Sequence, residues 1–186
     1  MKKYKKILIV THQYLPHVSP RTTRWKLLVD ELIANGHNVS ILTGMYPDFD
    51  TNNVEILYFG NKNNINIVSN LREKSKQVAS GDAIKKTFYG VLKKIYRFFI
   101  NYLAWPDYSM FWLYQIYKNR NKISKDFDII ISVSLPFSSH MAAYFINKKV
   151  KKHWIMDIGD PFSLKVDAPE NNRFLYSGLN KRYEKK

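Results

Sequence analysis

The chain has 186 residues, of which 45% are hydrophobic and 15% aromatic, so it is long enough and apolar enough to bury the core of one domain. Its 30 Lys and Arg against 15 Asp and Glu give a net charge of +15, which favours anionic partners such as acidic lipid, phosphorylated substrates or nucleic acid. The absence of cysteine excludes disulfides and thiolate metal sites and suits a reducing compartment, and no apolar run reaches the roughly 18 residues that would predict a spanning helix.

The first third of the chain predicts a parallel unit of strand, helix and strand, with a third strand after it. The apolar runs that predict these strands cover residues 7–10, 39–42 and 54–59. Between the first two runs, apolar side chains recur at helical spacing from Trp25 to Ile33, and Asn35-Gly36 supplies a left-handed helix stop. The crossover between the first two strands should be right-handed, so the sheet is expected to begin as a parallel one.

The rest of the chain predicts helices that alternate with two more strands. Helical patterns cover residues 83–103, 108–123, 138–148 and 172–186, and strand patterns cover residues 128–133 and 153–158. Residues 65–80 show no clear pattern. The alternation predicts an α/β fold, a Rossmann-like parallel sheet with helices on both faces, in which ligands bind at the carboxyl ends of the strands.

Several common site motifs are missing. The first strand is followed by Thr11-His-Gln-Tyr14, so the glycine-rich turn of dinucleotide-binding folds is absent, and so are the P-loop, the His-Glu helix of zinc proteases and the glycine-flanked serine of hydrolases. Asp48-Phe-Asp50 has the spacing of a metal and diphosphate motif, but a solvated turn is the interpretation that such a short pattern favours. We therefore expect no metal and no cofactor.

Four separated segments resemble the N-terminal, acceptor-side half of family 4 glycosyltransferases, which are two-domain enzymes of the GT-B fold. The segments are Tyr14-Leu-Pro16 to Gly36-His-Asn-Val39, Trp105-Pro-Asp107 with Trp112, Ser132-Val-Ser-Leu-Pro-Phe-Ser-Ser-His140, and Trp154-Ile-Met-Asp-Ile-Gly-Asp-Pro-Phe162. Their order and spacing make the match specific, and it covers nearly the whole chain. The resemblance implies that residues 1–186 are one glycosyltransferase family 4-like N-terminal domain. We expect it to be truncated at its C-terminal end, because the donor-binding half with its paired glutamates is absent from the sequence.

The resemblance also implies an activity. It is the retaining transfer of a sugar from a nucleotide-sugar to a lipid-linked or polysaccharide acceptor in cell-surface glycan biosynthesis. The missing half would hold most of the nucleotide-sugar, so we expect this chain alone to be inactive and its partner to be a separately encoded C-terminal half. Two other hypotheses stay open. One is a non-catalytic basic module that binds anionic membrane or nucleic acid, with nucleic acid the less favoured partner; the other is an inactive relic of a disrupted transferase gene.

The candidate site residues follow the predicted strand ends. His140 and Asp160 are the candidate catalytic residues, because each lies in the polar, proline-containing loop region after a buried strand pattern. Arg21 and Arg24 lie at the start of the first helix, where side chains and exposed N–H groups suit a phosphate. Asp157, inside the strand pattern, is expected to anchor neighbouring backbone. The remaining candidate substrate-binding residues are His12, Ser134, Pro136 and Phe137.

The predicted helix over residues 83–103 places aromatic and aliphatic residues on one face against five bases, and it contains no acid. This interfacial pattern predicts reversible binding to an anionic membrane, because each base near such a surface contributes about 1 kcal/mol. A core helix packed on the sheet is the other interpretation that the periodicity allows. The candidate membrane-facing residues are Lys85, Lys86, Phe88, Lys93, Lys94, Arg97 and Phe98. We expect a cytoplasmic protein, peripheral on the inner face of the cell membrane.

Overall fold

A five-stranded parallel sheet organises the part of the chain that the computed structural model describes, namely residues 4–44, 54–60, 90–92, 94, 95, 98, 104–159 and 176–184. The strands are β1 (Lys6–Val10), β2 (Asn38–Thr43), β3 (Glu55–Tyr58), β4 (Ile129–Val133) and β5 (His153–Asp157). They lie in the order β3-β2-β1-β4-β5, and each neighbouring pair is parallel. This arrangement confirms the predicted α/β class and its Rossmann-like parallel sheet.

The central strand β1 explains why the sheet could be predicted. It pairs with β2 on one side and with β4 on the other, and every residue from Ile7 to Val10 is buried. A parallel strand that is covered on both faces needs apolar side chains at every position, so its sequence is a continuous aliphatic run. The edge strand β5 has no buried residue, and its sequence is correspondingly more polar.

Helices cover both faces of the sheet, as predicted. They are α1 (Pro20–Ala34), α2 (Met110–Asn119), α3 (Ser138–Val150) and α4 (Ser177–Glu184). Alternate side chains of β1 point to opposite faces. Ile7 and Ile9 pack with Trp25 of α1, whereas Leu8 and Val10 share a core with α2 and α3. None of the helices in the described part of the chain is long and apolar enough to cross a bilayer.

Local sequence sets both ends of α1. At its start the Ser19 hydroxyl accepts a hydrogen bond from Thr22 N at 3.1 Å, and Pro20 occupies the first turn. At its end Gly36 has a φ of +86°, and a Cβ there would lie 2.3 Å from Cε1 of Tyr4, so only glycine fits. The predicted stop is thus confirmed. The helix begins at Pro20, before the apolar periodicity that starts at Trp25. The residues of its first turn are polar, so the apolar spacing does not reveal them.

Two of the other helices differ in length from their sequence patterns: α3 (Ser138–Val150) extends two residues beyond the predicted 138–148, and α2 is shorter than predicted. The helix predicted over residues 108–123 is ordered as α2 over Met110–Asn119, and the one predicted over 172–186 is described as α4 over Ser177–Glu184. In α2 the start follows an Asp-Tyr-Ser turn in which Asp107 accepts hydrogen bonds from the backbone and hydroxyl of Ser109. Turn chemistry therefore sets this boundary, where the apolar spacing alone extends further.

Candidate functional site

The candidate site lies at the carboxyl edge of the sheet, between β1 and β4. After β1 the chain crosses to α1 on one face, and after β4 it crosses to α3 on the opposite face. Two adjacent parallel strands whose connections diverge in this way leave a crevice between their loops, and such crevices hold ligands in α/β folds. The loops here are residues 11–19 and 134–137. The structure therefore brings together at one edge the segments that the sequence placed after two separate strands.

His12 is held at this edge through its backbone. Its N–H donates to Ser139 Oγ at 3.1 Å, and its carbonyl accepts from Gly44 N and Thr43 Oγ1, each at 3.1 Å. These bonds connect the end of β1 to the end of β2 and to the first turn of α3. The position of the imidazole is thus fixed by three different elements.

The His12 ring is enclosed by aromatic groups and by a glycine. It meets Tyr108 and Trp112 edge to face, with ring centroids 5.7 and 5.2 Å apart. A Cβ at Gly44 would lie only 2.5 Å from Cδ2 of His12, so the imidazole fills space that only glycine leaves. Gly44, Tyr108 and Trp112 therefore complete a pocket that sequence reasoning did not connect with His12.

Burial sets the charge of His12. It lowers the pKa of the imidazole from 6.5 to about 4, with a smaller contribution from the nearby His17. Nδ1 of His12 is buried and has no hydrogen-bond partner among the described residues. At neutral pH the ring is uncharged, so it offers one donor and one acceptor, which suits a hydroxyl group better than a phosphate.

Arg21 supplies positive charge to the same crevice. Its guanidinium lies 3.5 Å from the place that a Cβ of Gly159 would occupy, and Ser134 Oγ lies at the same distance from that place. Gly159 N in turn donates to Ser134 Oγ at 2.9 Å. Within the described part of the chain, Arg21 forms no ion pair. Among the described residues, then, no carboxylate is paired with this guanidinium at the ends of β4 and β5.

Arg24 differs from Arg21 because it is already engaged. Its guanidinium donates to the carboxylate of Asp157, and Trp25 Nε1 donates to the same oxygen at 2.7 Å. Asp157 thereby ties α1 to the end of β5. Asp157 was expected to anchor neighbouring backbone, but the partners that the structure shows for its carboxylate are two side chains of α1. Of the two arginines predicted to meet a phosphate, the geometry leaves Arg21 as the available one.

His140 lies inside the fold, with only 3% of its surface exposed. Its Nδ1 is 2.7 Å from Ser132 Oγ, which accepts from Trp154 Nε1 at 2.8 Å. The serine hydroxyl thus takes part in two hydrogen bonds, and the imidazole tautomer sets which group donates in the one to His140. The ring also borders a small pocket formed by aromatic and methionine side chains of α3, β5 and α4. His140 therefore has a structural role that joins β4, β5 and α3, and its catalytic role stays a prediction.

The other predicted residues of the β4 loop are largely enclosed. Ser134, Pro136 and Phe137 are all buried. Phe137 packs edge to face on His140 with ring centroids 5.7 Å apart, and Ser134 N donates to Asp157 O at 2.9 Å. They shape the loop, and of the three Ser134 has its hydroxyl beside Arg21. A direct contact of Pro136 or Phe137 with substrate stays a prediction.

Asp107 occupies a position that sequence reasoning missed. Its carboxylate accepts from Ser138 N and Ser138 Oγ, each at 2.8 Å, in addition to Ser109 N and Oγ at 2.9 and 2.6 Å. The N-terminus of a helix attracts anions, and here a carboxylate of the protein fills that position on α3. The first turn of α3 is thus satisfied internally, so it is not free to bind an anionic ligand.

Gln13 and Tyr108 form the rim of the crevice and were also not predicted. Gln13 Nε2 donates to Tyr108 Oη at 2.7 Å, and about half of Tyr108 is exposed. Burial of its hydroxyl raises the pKa of Tyr108 above the usual 10, and the nearby Arg21 partly opposes that rise. Through its ring Tyr108 also contacts His12, so Gln13, Tyr108 and His12 lie together at this rim.

A second cleft lies at the opposite, amino edge of the sheet, but its polar groups are paired with one another. Lys6 Nζ is 2.5 Å from Asp126, and Ser40 Oγ donates to Glu55 at 2.6 Å. The Lys6 cation is thus neutralised by Asp126, and the remaining charge of this cleft, that of Glu55, is negative and would repel a phosphate. The carboxyl edge, with Arg21 available, is the better candidate.

Some predicted residues cannot be placed. Asp160 lies outside the described residues, as do Asp48 and Asp50. Of the predicted membrane-facing set, Lys94 and Phe98 are described, helical and exposed. The others fall outside the described residues: Lys85, Lys86, Phe88, Lys93 and Arg97. Within the described ranges, no group of three or more His, Asp or Glu side chains could hold a metal ion.

Comparison with known proteins adds no family. No model of a known protein family matches the chain, and no curated protein matches it. Proposals about function therefore rest on the residues of the crevice and on the resemblance of the four sequence segments.

Proposed function

We propose that the chain is the acceptor-side domain of a GT-B glycosyltransferase, which transfers a sugar from a nucleotide-sugar to a lipid-linked or polysaccharide acceptor. What supports the proposal is that the carboxyl edge of one sheet carries both a neutral imidazole, His12 after β1, and a guanidinium, Arg21 beside Gly159 after β5. The Rossmann-like sheet alone is shared by many functions, so the site residues and the sequence resemblance supply the specificity.

The two groups suit the two chemical parts of such a substrate. A guanidinium binds phosphate oxygens through paired N–H donors and keeps its charge at any physiological pH. An uncharged imidazole exchanges hydrogen bonds with a sugar hydroxyl. Arg21 would hold a phosphate of the acceptor or donor, and His12 would orient a hydroxyl beside it. By the same resemblance, the nucleotide-sugar would be held mainly by the donor-binding half of the GT-B fold, so residues 1–186 by themselves are expected to show no turnover.

A second candidate function, a non-catalytic module for anionic membranes, is favoured by one observation. In the helical positions described between residues 90 and 98, large apolar side chains are exposed to solvent beside Lys94. They are Val91, Leu92, Ile95 and Phe98. This exposure supports the interfacial interpretation of that segment over a packed core helix. It is also compatible with a transferase that works at a membrane surface.

The test is deletion of the gene in its host cell, followed by mass spectrometry of the surface glycans. We expect the loss of a glycan, which the unaltered gene restores. The Arg21→Ala gene should restore at least about tenfold less of this glycan than the unaltered gene, because losing a hydrogen bond to a charged group costs roughly 1.5–3 kcal/mol. Lys26→Ala is the matched control, since Lys26 lies on the same helix and its Nζ pairs with Asp30 of that helix at 2.5 Å.

Two results would contradict the proposal. Unchanged surface glycans after deletion would remove the transferase function and favour the membrane module. Full restoration by Arg21→Ala would remove the proposed phosphate contact.

A further inference from the structure

The outer face of α2 and the turn before it carry aromatic side chains into solvent. They recur at three-residue intervals and are between 46% and 60% exposed: Tyr108, Phe111, Tyr114 and Tyr117. The inner side of the same helix is also apolar, because Trp112, Leu113 and Ile116 belong to the core. A helix at a protein surface normally turns polar residues outward, so this outer face is atypical. We call these four residues the aromatic band.

The surface next to the band is basic. Residues 108–125 contain four bases and no acid: Lys118, Arg120, Lys122 and Lys125. The guanidinium of Arg120 lies 4.0 Å from the ring centroid of Tyr117. The end of α3 adds further charge, because Lys149 Nζ donates to Asn121 Oδ1 at 3.3 Å. Aromatic area and positive charge therefore occur on one continuous face.

We propose that the aromatic band and its neighbouring bases are a docking surface for an anionic lipid bilayer. Tyr and Phe rings suit the boundary between headgroups and acyl chains, and Lys and Arg extend their charged ends to acidic headgroups. The absence of any acid over residues 108–125 matches a negative surface. This inference deepens the proposed membrane association and rests on it. It assigns the contact to α2, a different segment from the helix predicted over residues 83–103.

Docking along α2 also fixes how the crevice is oriented. The band begins at Tyr108, whose hydroxyl accepts from Gln13 at 2.7 Å on the crevice rim and whose ring meets His12. A bilayer in contact with the band therefore lies beside the opening that holds His12 and Arg21. A phosphate-bearing headgroup would reach that opening without leaving the membrane surface.

The experiment is flotation of the full chain with phosphatidylcholine vesicles, with and without about one third phosphatidylglycerol. The wild type should bind the anionic vesicles. The double variant Phe111→Ser/Tyr114→Ser should lower the partition coefficient by about tenfold or more, because two exposed aromatic contacts are removed. The pair Lys118→Gln/Lys122→Gln should have a comparable effect at low salt, since each base contributes about fivefold. Circular dichroism confirms that the variants are folded.

Leu27→Ser is the matched control. Leu27 is 62% exposed on α1, which covers the opposite face of the sheet, so its loss should leave vesicle binding unchanged. If the Phe111→Ser/Tyr114→Ser variant bound vesicles as well as the wild type does, the role of α2 would be overturned, but the membrane association would not. An equal loss with Leu27→Ser would overturn it too. Binding to single-stranded oligonucleotide or soluble glycan without any binding to vesicles would overturn both the role of α2 and the membrane association. Flotation does not measure sugar transfer, so its outcome does not decide the transferase proposal, which the gene deletion tests separately.

Discussion

His12 and Gly44 show how single residues define the crevice. The imidazole occupies the space in front of Gly44, and both are tied to the ends of neighbouring strands by hydrogen bonds through the His12 carbonyl. Enclosure by Tyr108 and Trp112 removes water from the ring and so keeps it neutral. A buried polar nitrogen without a partner among the described residues, such as Nδ1 of His12, costs free energy in the folded state.

The neutral state of His12 predicts a pH dependence of stability. Its pKa is about 4 in the folded protein and near 6.5 when unfolded, so the unfolded chain binds more protons between these values. The free energy of unfolding should therefore fall as pH drops from 6.5 to 4, by at most about 3 kcal/mol from this group. Urea denaturation of wild type and His12→Gln across this window measures the difference. Parallel curves for the two proteins would show that His12 is not buried in its neutral form.

At the scale of elements, Asp107 joins the turn before α2 to the first turn of α3. It accepts four hydrogen bonds from Ser109 and Ser138, and Ser138 is fully buried. An N-terminal capping group on a helix is ordinarily a neighbour in sequence, but this one is 31 residues away. The two helices that form one face of the core are therefore positioned by a single carboxylate.

Replacement of Asp107 tests this connection. Asp107→Ala should lower the free energy of unfolding by about 2–4 kcal/mol, because it removes a helix cap and leaves buried donors on Ser138 without an acceptor. Asp107→Asn keeps one side-chain oxygen as a hydrogen-bond acceptor, so it should lower the free energy of unfolding by less than Asp107→Ala does. Thermal and urea unfolding measure both variants. Asp126→Ala is the control, since this exposed partner of Lys6 should change stability by less than about 1 kcal/mol. Equal effects of the two alanine variants would contradict the proposed connection.

The same residues show what could be predicted from the sequence. The continuous aliphatic run of β1 and the Ser19 and Gly36 ends of α1 carry their structural reasons in adjacent residues, so the sheet and this helix were predictable. Pairing between distant residues leaves no local pattern. The contact of Asp107 with Ser138 could not be predicted, and neither could the ion pair of Arg24 with Asp157, which is 133 residues away. For this reason the sequence favours a phosphate as the partner of Arg24. Asp157 itself was expected to anchor, because a carboxylate inside a strand pattern needs partners.

At the scale of the whole molecule, positive charge is the dominant property. The net charge of +15 is a source of self-repulsion, and the ion pairs described, at Lys6, Arg24 and Lys26, neutralise few of the 30 bases. A surface with such an excess attracts anionic partners over long distances and destabilises the free protein slightly. The positive charge that would hold the protein on a membrane is thus the same charge that lowers its folding stability in solution.

Salt should therefore stabilise the free protein. Raising NaCl from about 20 to about 300 mM shortens the screening length and should raise the unfolding midpoint by about 2–5 °C. Lys118→Glu/Lys122→Glu reduces the net charge by four and should respond less to salt. Differential scanning calorimetry at neutral pH measures both proteins. A midpoint that falls with salt would indicate that attractive ion pairs outweigh the repulsion.

The hydrogen-bonded chain from Trp154 through Ser132 to His140 has a consequence for how the sheet is assembled. In the observed register Ser132 lies beside Met156, and the Trp154 indole reaches it from two positions away on β5. A slip of β5 by one residue would turn that indole to the opposite face and leave the serine and imidazole without it. A strand at the sheet edge with no buried aliphatic run has little else to reject such a slip. The buried polar chain thus selects one alignment of β5 among several that its own sequence would tolerate.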